Sequence, residues 1–375
     1  MLINTCEGLV EYDKEAKLQP LIAKSYEVSP DGKTYTFHLR SDVYFHDDKC
    51  FPGGKGRKVT AADFKYCYER VCDPRAKTRG LWVYRDKVEG AEEFAAAPDK
   101  VKGISGFIAQ DDSTFIIKLV QPFAPFLSIL TMPYGYVYPK EAVEMYKDDF
   151  GFRIVGTGPY KFVKWDVDKE LACTKNENYW AKDKQGNALP KIDGFSVSFI
   201  RSPETEFLDF KEGKLDFQKP SIDVFGLITD DKGELKPEYN FELIKQPYLN
   251  TVYLGSMLNV KMEGGKDNPL AENKKLRQAL NYAIDRDKIC KFVLKNKGTP
   301  GINGPLPIGM PGYSADVKGY SYDKLKAVQL LKEAGYPEGK GLTLKLVYHN
   351  DESQRELCEA IQAQMKEIGV NLQIE

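Results

Sequence analysis

Apolar and polar residues alternate along Lys33-Thr34-Tyr35-Thr36-Phe37-His38-Leu39-Arg40, which puts Tyr35, Phe37 and Leu39 on one face of a strand and His38 on the other. Asp31-Gly32 just before it signals a turn. Further strands are predicted over 114–120, 160–166 and 193–200. Elsewhere the period is helical. Thr60, with Asp63 three residues on, has the pattern of a capping box, and Phe64, Cys67 and Val71 recur at helical spacing behind it. A helix over 139–147 opens on Pro139. After Pro269 a helix is predicted to about Asp285, with Leu276, Ala279, Leu280, Ala283 and Ile284 as its apolar stripe. Another spans about 322–334 and stops at Gly335 and Pro337.

The last stretch carries topology. A strand over 342–348 leads into a helix over 352–368, whose Leu357, Ala360, Ile361, Gln364, Met365 and Ile368 share one side. Gly369 ends that helix, and Val370 to Ile374 begins a new strand. This is a βαβ unit, so a parallel sheet with helical cover is expected here. Two parallel strands do not finish a domain. The second half is therefore expected to be incomplete at residue 375, with an open strand edge and marginal stability. The stretch from Pro220 to Pro247 reads as loop-rich, with a turn at Asp230-Asp231-Lys232-Gly233 and a boundary just beyond it.

With 42% hydrophobic residues in a chain of 375, there is enough apolar surface for two sizeable cores. The 54 basic and 55 acidic residues leave a net charge of −1, so nothing electrostatic points to nucleic acid or an anionic membrane. The 22 Tyr, 20 Phe and 3 Trp suit both large cores and an amphipathic binding cleft. Seven scattered cysteines (Cys6, Cys50, Cys67, Cys72, Cys173, Cys290, Cys358) include no CxxC and read mostly as small buried hydrophobes, not as a disulfide framework. No apolar run reaches the roughly 18 to 20 residues of a membrane span. Met1 to Thr5 does not read as a signal peptide, and taken alone these features describe a cytosolic chain.

Candidate chemistry is sparse. His46-Asp47-Asp48 is the one cluster of histidine and carboxylates and reads as a solvated turn, while His38 and His349 lie far apart. There is no nucleophile elbow of the G-x-S-x-G type. Gly156-Thr157-Gly158-Pro159 lacks phosphate-loop spacing, and Pro159 removes a backbone donor, so it reads as a turn. Gly53 to Lys58 reads as a basic surface loop. No catalytic group, metal ligand or cofactor is expected.

Several segments, in fixed order, carry a resemblance. They are Glu7-Gly8-Leu9-Val10, Leu21 to Tyr26, Ser29 to Arg40, Val43 to Asp47, Thr60 to Phe64, Gly156 to Tyr160, Asn176-Glu177-Asn178-Tyr179-Trp180, Arg277 to Arg286, Asp323 to Gly335 and Ile361 to Met365. Together they resemble the peptide-type solute-binding proteins of ABC importers, solute-binding protein family 5. The resemblance implies an α/β, two-lobed, periplasmic-binding-protein-like fold. Residues 1–40 and 155–250 would form the first lobe, 41–154 a subdomain inserted in it, and 251–375 a truncated second lobe.

It also implies a monomer that captures a peptide-like solute between its lobes, without turnover, and delivers it to an ABC permease. The alternative is the same fold holding an oligosaccharide, a nickel complex or another solute, with Trp82 or Trp180 as a stacking platform for sugar. Members are periplasmic or lipid-anchored through a leader and continue past residue 375, so both ends are expected to be missing. Implied ligand contacts are Thr5, Cys6 and Glu7, then Tyr134, Gly135 and Tyr136, with Tyr253 and Ser256 near the hinge. Arg355 would hold the ligand carboxylate, and the acidic partner of the α-amino group would lie beyond the segment. A peptide main chain would be held as an added strand is. Two readings from other classes are a hydrolase or transferase on a two-lobed scaffold and a chaperone-like interaction module.

Overall fold

The first two strands, β1 (Val10–Tyr12) and β2 (Leu18–Pro20), form an antiparallel pair. The alternation at 34–39 is realised as strand β4 (Thr34–Leu39), in which Tyr35, Phe37 and Leu39 are buried while Thr34, Thr36 and His38 are half-exposed. The structure is a computed structural model that describes residues 2–261, 265, 267–349 and 352–375. Strand β4 lies between β3 (Ala23–Val28) and β6 (Thr114–Lys118), with β5 (Phe107–Ala109) at the edge, in an antiparallel sheet of order β3-β4-β6-β5. Across the β4–β6 pair, Tyr35 faces Ile117 and Phe37 faces Phe115.

The helix Ala61–Cys72 covers this sheet. Its Tyr68 ring lies 5.4 Å from Phe107, 5.6 Å from Phe115 and 5.1 Å from Tyr84. Burying each such ring contributes about 1.5–3 kcal/mol. The helix starts as its capping signal predicts, with the Thr60 amide donating to Asp63 Oδ2 at 2.8 Å. That carboxylate also receives Arg57 at 2.7 and 2.9 Å, and Arg57 reaches Glu141 at 2.7 and 2.9 Å. The basic loop read as plain surface is thus pinned at Arg57. A second antiparallel sheet follows, β7 (Tyr160–Asp166), β8 (Glu170–Lys175) and β9 (Gly194–Ser198) in that order. All of this lies in one compact unit, Met1–Ile200.

The other unit is Arg201–Glu375. Residues 201–250, expected with the first lobe, fall within it. Its βαβ element is as predicted: β10 (Thr343–Leu346) and β11 (Asn371–Ile374) pair in parallel, Thr343 opposite Asn371, joined through the helix Glu352–Glu367. Helices Lys274–Ala283 and Lys324–Glu333 complete a core of Leu276, Ala279, Ala327, Leu331, Leu344, Ile361 and Met365.

Two sequence expectations need correction and a third is refined. The helix after Pro269 is two helices, Pro269–Glu272 and Lys274–Ala283. Asn273 separates them, because its Oδ1 accepts the Leu276 amide at 3.0 Å and its Nδ2 donates to the Ala334 carbonyl at 2.9 Å. Pro139 is the N-cap of the helix Lys140–Tyr146 and stands just outside it. The stretch after Pro220 contains a helix, Ile222–Ile228, and another, Pro203–Lys211, precedes it. Both start on serines: Ser202 Oγ accepts the Thr205 amide at 3.2 Å and Ser221 Oγ accepts that of Val224 at 3.1 Å. The Asp230 turn is present, with Oδ1 accepting the Lys232 and Glu234 amides at 2.8 and 2.9 Å.

Candidate functional site

In the first unit, two of the segments singled out in the sequence are brought together. Val137 donates its amide to the Glu7 carbonyl at 2.9 Å, and Gly8 bridges Tyr136 in antiparallel fashion. The strip Tyr134-Gly135-Tyr136 is fixed from beneath by core tyrosines: Tyr84 OH donates to the Tyr134 carbonyl and Tyr68 OH to that of Gly135, both at 3.1 Å. Gly135 is buried, whereas Tyr134 and Tyr136 are half-exposed. Trp82, 53% exposed, stands edge-on to Tyr134 with ring centroids 6.4 Å apart. The strip therefore offers aromatic surface on a backbone held by the core.

Thr5, Cys6 and Glu7 are buried behind it. They thread against the 156–158 turn, where the Gly158 amide donates to the Thr5 carbonyl at 3.0 Å. The approach demands glycine, since a Cβ on Gly156 would stand 1.9 Å from the Thr5 oxygen. Glu7, 3% exposed, accepts from Thr157 Oγ1 at 2.7 Å, Tyr179 OH at 2.8 Å and Trp180 Nε1 at 3.3 and 3.4 Å. Burial pushes its pKa up to about 7, against these three hydrogen bonds, with a small contribution from Glu11 in the same direction as burial. These three donors were not named as site residues, although the Gly156–Tyr160 and Asn176–Trp180 motifs contain them.

His46 is also buried, which corrects its reading as a solvated turn residue. Its Nε2 lies 2.8 Å from the Gly158 carbonyl, and Nδ1 accepts the Gly156 amide at 3.4 Å. Burial takes its pKa down to about 4. Trp180 is committed to the scaffold, its indole N–H on Glu7 and the Arg40 guanidinium 4.0 Å from its ring centroid. Of the two tryptophans considered for stacking, Trp82 alone presents an open ring.

The second unit holds a cavity of about 2770 Å³, with Tyr253 and Ser256 on its wall. That is well above the roughly 300–1,000 Å³ of a small-molecule pocket. The wall from Gln246 to Met257 is non-helical chain outside any sheet. Among the described residues, the backbone groups of Tyr253, Leu254, Gly255 and Ser256 have no hydrogen-bond partner. Arg355 is exposed on the helix Glu352–Glu367, its Nε donating to Glu359 at 2.9 Å. Its neighbours Glu356 and Leu357 line the cavity, and Arg355 does not.

All seven cysteines are free thiols. Among the described residues, no group of three or more His, Cys, Asp and Glu side chains is placed to hold a metal ion, and no helix is long and apolar enough to cross a membrane.

Comparison with known proteins agrees with this architecture. The family model described as bacterial extracellular solute-binding proteins, family 5 Middle, matches residues 17–375. The glutathione-binding protein GsiB of Pectobacterium atrosepticum is 32% identical over 370 residues, which is 98% of this chain and 62% of that protein. The chain thus spans less than two thirds of the length of this curated relative. Among solved structures, the ABC transporter-associated periplasmic binding protein DppA from Helicobacter pylori, in complex with the peptide STSA, matches with a TM-score of 0.71 at 27% identity, over 99% of this chain and 68% of that one. AgaA in complex with agropinic acid, from A. tumefaciens R10, matches with a TM-score of 0.70 at 28% identity, over 100% of this chain and 67% of that one. The mixed α/β fold of periplasmic binding proteins is shared with these two solved structures.

Proposed function

The chain belongs to the bacterial extracellular solute-binding proteins of family 5, and we propose that it captures a peptide-like solute, without chemical turnover, for delivery to an ABC-type permease. The observation that carries the reading is the wall segment 253–256. Unpartnered amide and carbonyl groups along the wall of a cavity larger than a small-molecule pocket are what an extended peptide backbone can pair with, as an added strand does. Main-chain pairing of this kind tolerates many side chains, and the spare volume leaves them room. Tyr253 and Ser256 are the proposed contacts in the second unit, with Arg355 a more peripheral one. Tyr134 and Tyr136 are proposed in the first. Thr5, Cys6, Glu7 and Gly135, being buried, act by positioning the Tyr134–Tyr136 strip. A monomer working in the periplasm or lipid-anchored at the cell surface belongs to the same proposal. The proposed lobes, residues 1–40 with 155–250, 41–154 as an insertion and 251–375, divide the chain differently from the two compact units, whose boundary falls after Ile200.

A second cargo, a sugar or other ring-bearing solute, is favoured by the open Trp82 ring beside Tyr134. Amide hydrogen exchange with and without a mixed short-peptide library separates the two. Slowed exchange at 253–256 supports peptide pairing. Slowing confined to the chain around Trp82 and Tyr134, on adding oligosaccharides, would favour the other cargo, and no change with either would overturn capture.

A further inference from the structure

Gly80 is buried at the start of the short helix Leu81–Tyr84, with φ −96° and ψ 0°, a conformation open to any L residue. The backbone does not ask for glycine there. The Tyr134 ring does: a Cβ on Gly80 would stand 2.4 and 2.8 Å from its Cδ1 and Cε1, and 2.8 Å from Val71 Cγ1. The ring lies back over the space that the missing side chain leaves. Trp82, 53% exposed, meets it at 81°, so the two rings form an open corner. Much of the main chain beside this corner is already engaged. The Tyr134 and Gly135 carbonyls accept from Tyr84 and Tyr68, the Gly135 and Tyr136 amides donate to the Met132 and Pro133 carbonyls, and the Trp82 carbonyl accepts from Lys87 Nζ. What the corner offers a solute is ring surface.

We propose that the Trp82–Tyr134 corner is a subsite for an aromatic side chain of the captured peptide, and that Gly80 is the residue that sets this preference. The inference rests on the capture reading above and narrows its substrate class. Two rings at a steep angle give a third ring one face to stack on and another to meet edge-on, the arrangements that aromatic pairs prefer. An aliphatic side chain of similar size gains the burial without the ring pairing. The same rings suit the face of a sugar, but its hydroxyls need partners that this engaged main chain does not offer. A side chain at position 80 would push the Tyr134 ring outward and close the corner.

The test is calorimetric titration of the whole chain with Phe-Ala-Ala, Ala-Phe-Ala and Ala-Ala-Phe, each against its leucine counterpart. In at least one pair the wild type is expected to favour the phenylalanine peptide about three- to tenfold. The preference disappears in Trp82→Leu, an exposed position where folding is not at stake, and in Gly80→Ala. Gly151→Ala, whose Cβ meets nothing within 4 Å, keeps it. A purely structural role for Gly80 would weaken both members of a pair alike and leave their ratio intact. No preference for phenylalanine in the wild type, or one that survives Trp82→Leu, overturns the subsite and leaves capture standing. A preference lost in Trp82→Leu but kept in Gly80→Ala overturns the role given to Gly80. Failure of every peptide to bind the wild type overturns capture together with the subsite.

Discussion

Glu7 and His46 should pull stability in opposite directions with pH, and replacing Glu7 by glutamine should expose the hidden slope. The Glu7 carboxyl rises from 4.5 to about 7 on folding, and the His46 imidazole falls from 6.5 to about 4. At about 1.4 kcal/mol per pKa unit, each is worth about 3 kcal/mol. The signs differ. A raised folded pKa gives Glu7 a contribution fully present below 4.5 and lost as pH climbs through about 7. A lowered one gives His46 a contribution present above 6.5 and lost as pH falls through about 4. Over the shared window the two nearly cancel, so these groups leave the wild type almost flat.

Glu7→Gln removes one of them, while its carbonyl can still accept from Thr157 or Tyr179. The variant should therefore lose about 3 kcal/mol between pH 7 and pH 4.5, relative to the wild type. The assay is urea unfolding from pH 4.5 to 8, followed by tryptophan fluorescence. Trp82, Trp165 and Trp180 all lie in the first unit, so the signal reports on that unit alone. Other titrating groups are common to both curves and drop out of the difference. Wild-type and Glu7→Gln stabilities running parallel in pH would refute the argument.

Three more outcomes are expected. Gly156→Ala forces its Cβ against the Thr5 oxygen and Cys6 Sγ and should cost about 3 kcal/mol, whereas Gly151→Ala, with nothing within 4 Å, should fall within about 0.5 kcal/mol of wild type; thermal melts compare the two. Tyr68→Phe deletes the hydroxyl that holds the Gly135 carbonyl and should cost about 1 kcal/mol, against about 3–5 for Tyr68→Ala, in denaturant titrations. Asn273→Ala removes both the cap on Leu276 and the bond to Ala334, and should destabilise the second unit by about 1–2 kcal/mol, with faster amide exchange in the helix Lys274–Ala283.

Where local pattern and tertiary environment agree, the sequence already contained the structure. The period-2 face of Tyr35, Phe37 and Leu39, the Thr60–Asp63 box and the βαβ tail closed by Gly369 all depend on neighbours within a few residues. Helices Pro203–Lys211 and Ile222–Ile228 are short and carry weak stripes, and their signal was only the serines at 202 and 221. The break at Asn273 escaped because the apolar stripe continues across it, while the competing bond to Ala334 spans 61 residues. The Glu7 cluster was least legible. Its donors lie 150, 172 and 173 residues away, and a carboxylate in a Glu-Gly-Leu run gives no local hint that it will be buried. Of the ligand contacts implied by resemblance, the structure joins Thr5 to Glu7 with Tyr134 to Tyr136, and sets Tyr253 and Ser256 on a cavity. It leaves Arg355 on an exposed helical turn, outside the lining of that cavity.

Capture without turnover is tested most directly by native mass spectrometry of the chain mixed with short peptides, followed by release and weighing of whatever has bound. The account predicts a saturable one-to-one adduct and a released peptide of unaltered mass. Released fragments, or the absence of any adduct at peptide concentrations up to the millimolar range, would contradict it.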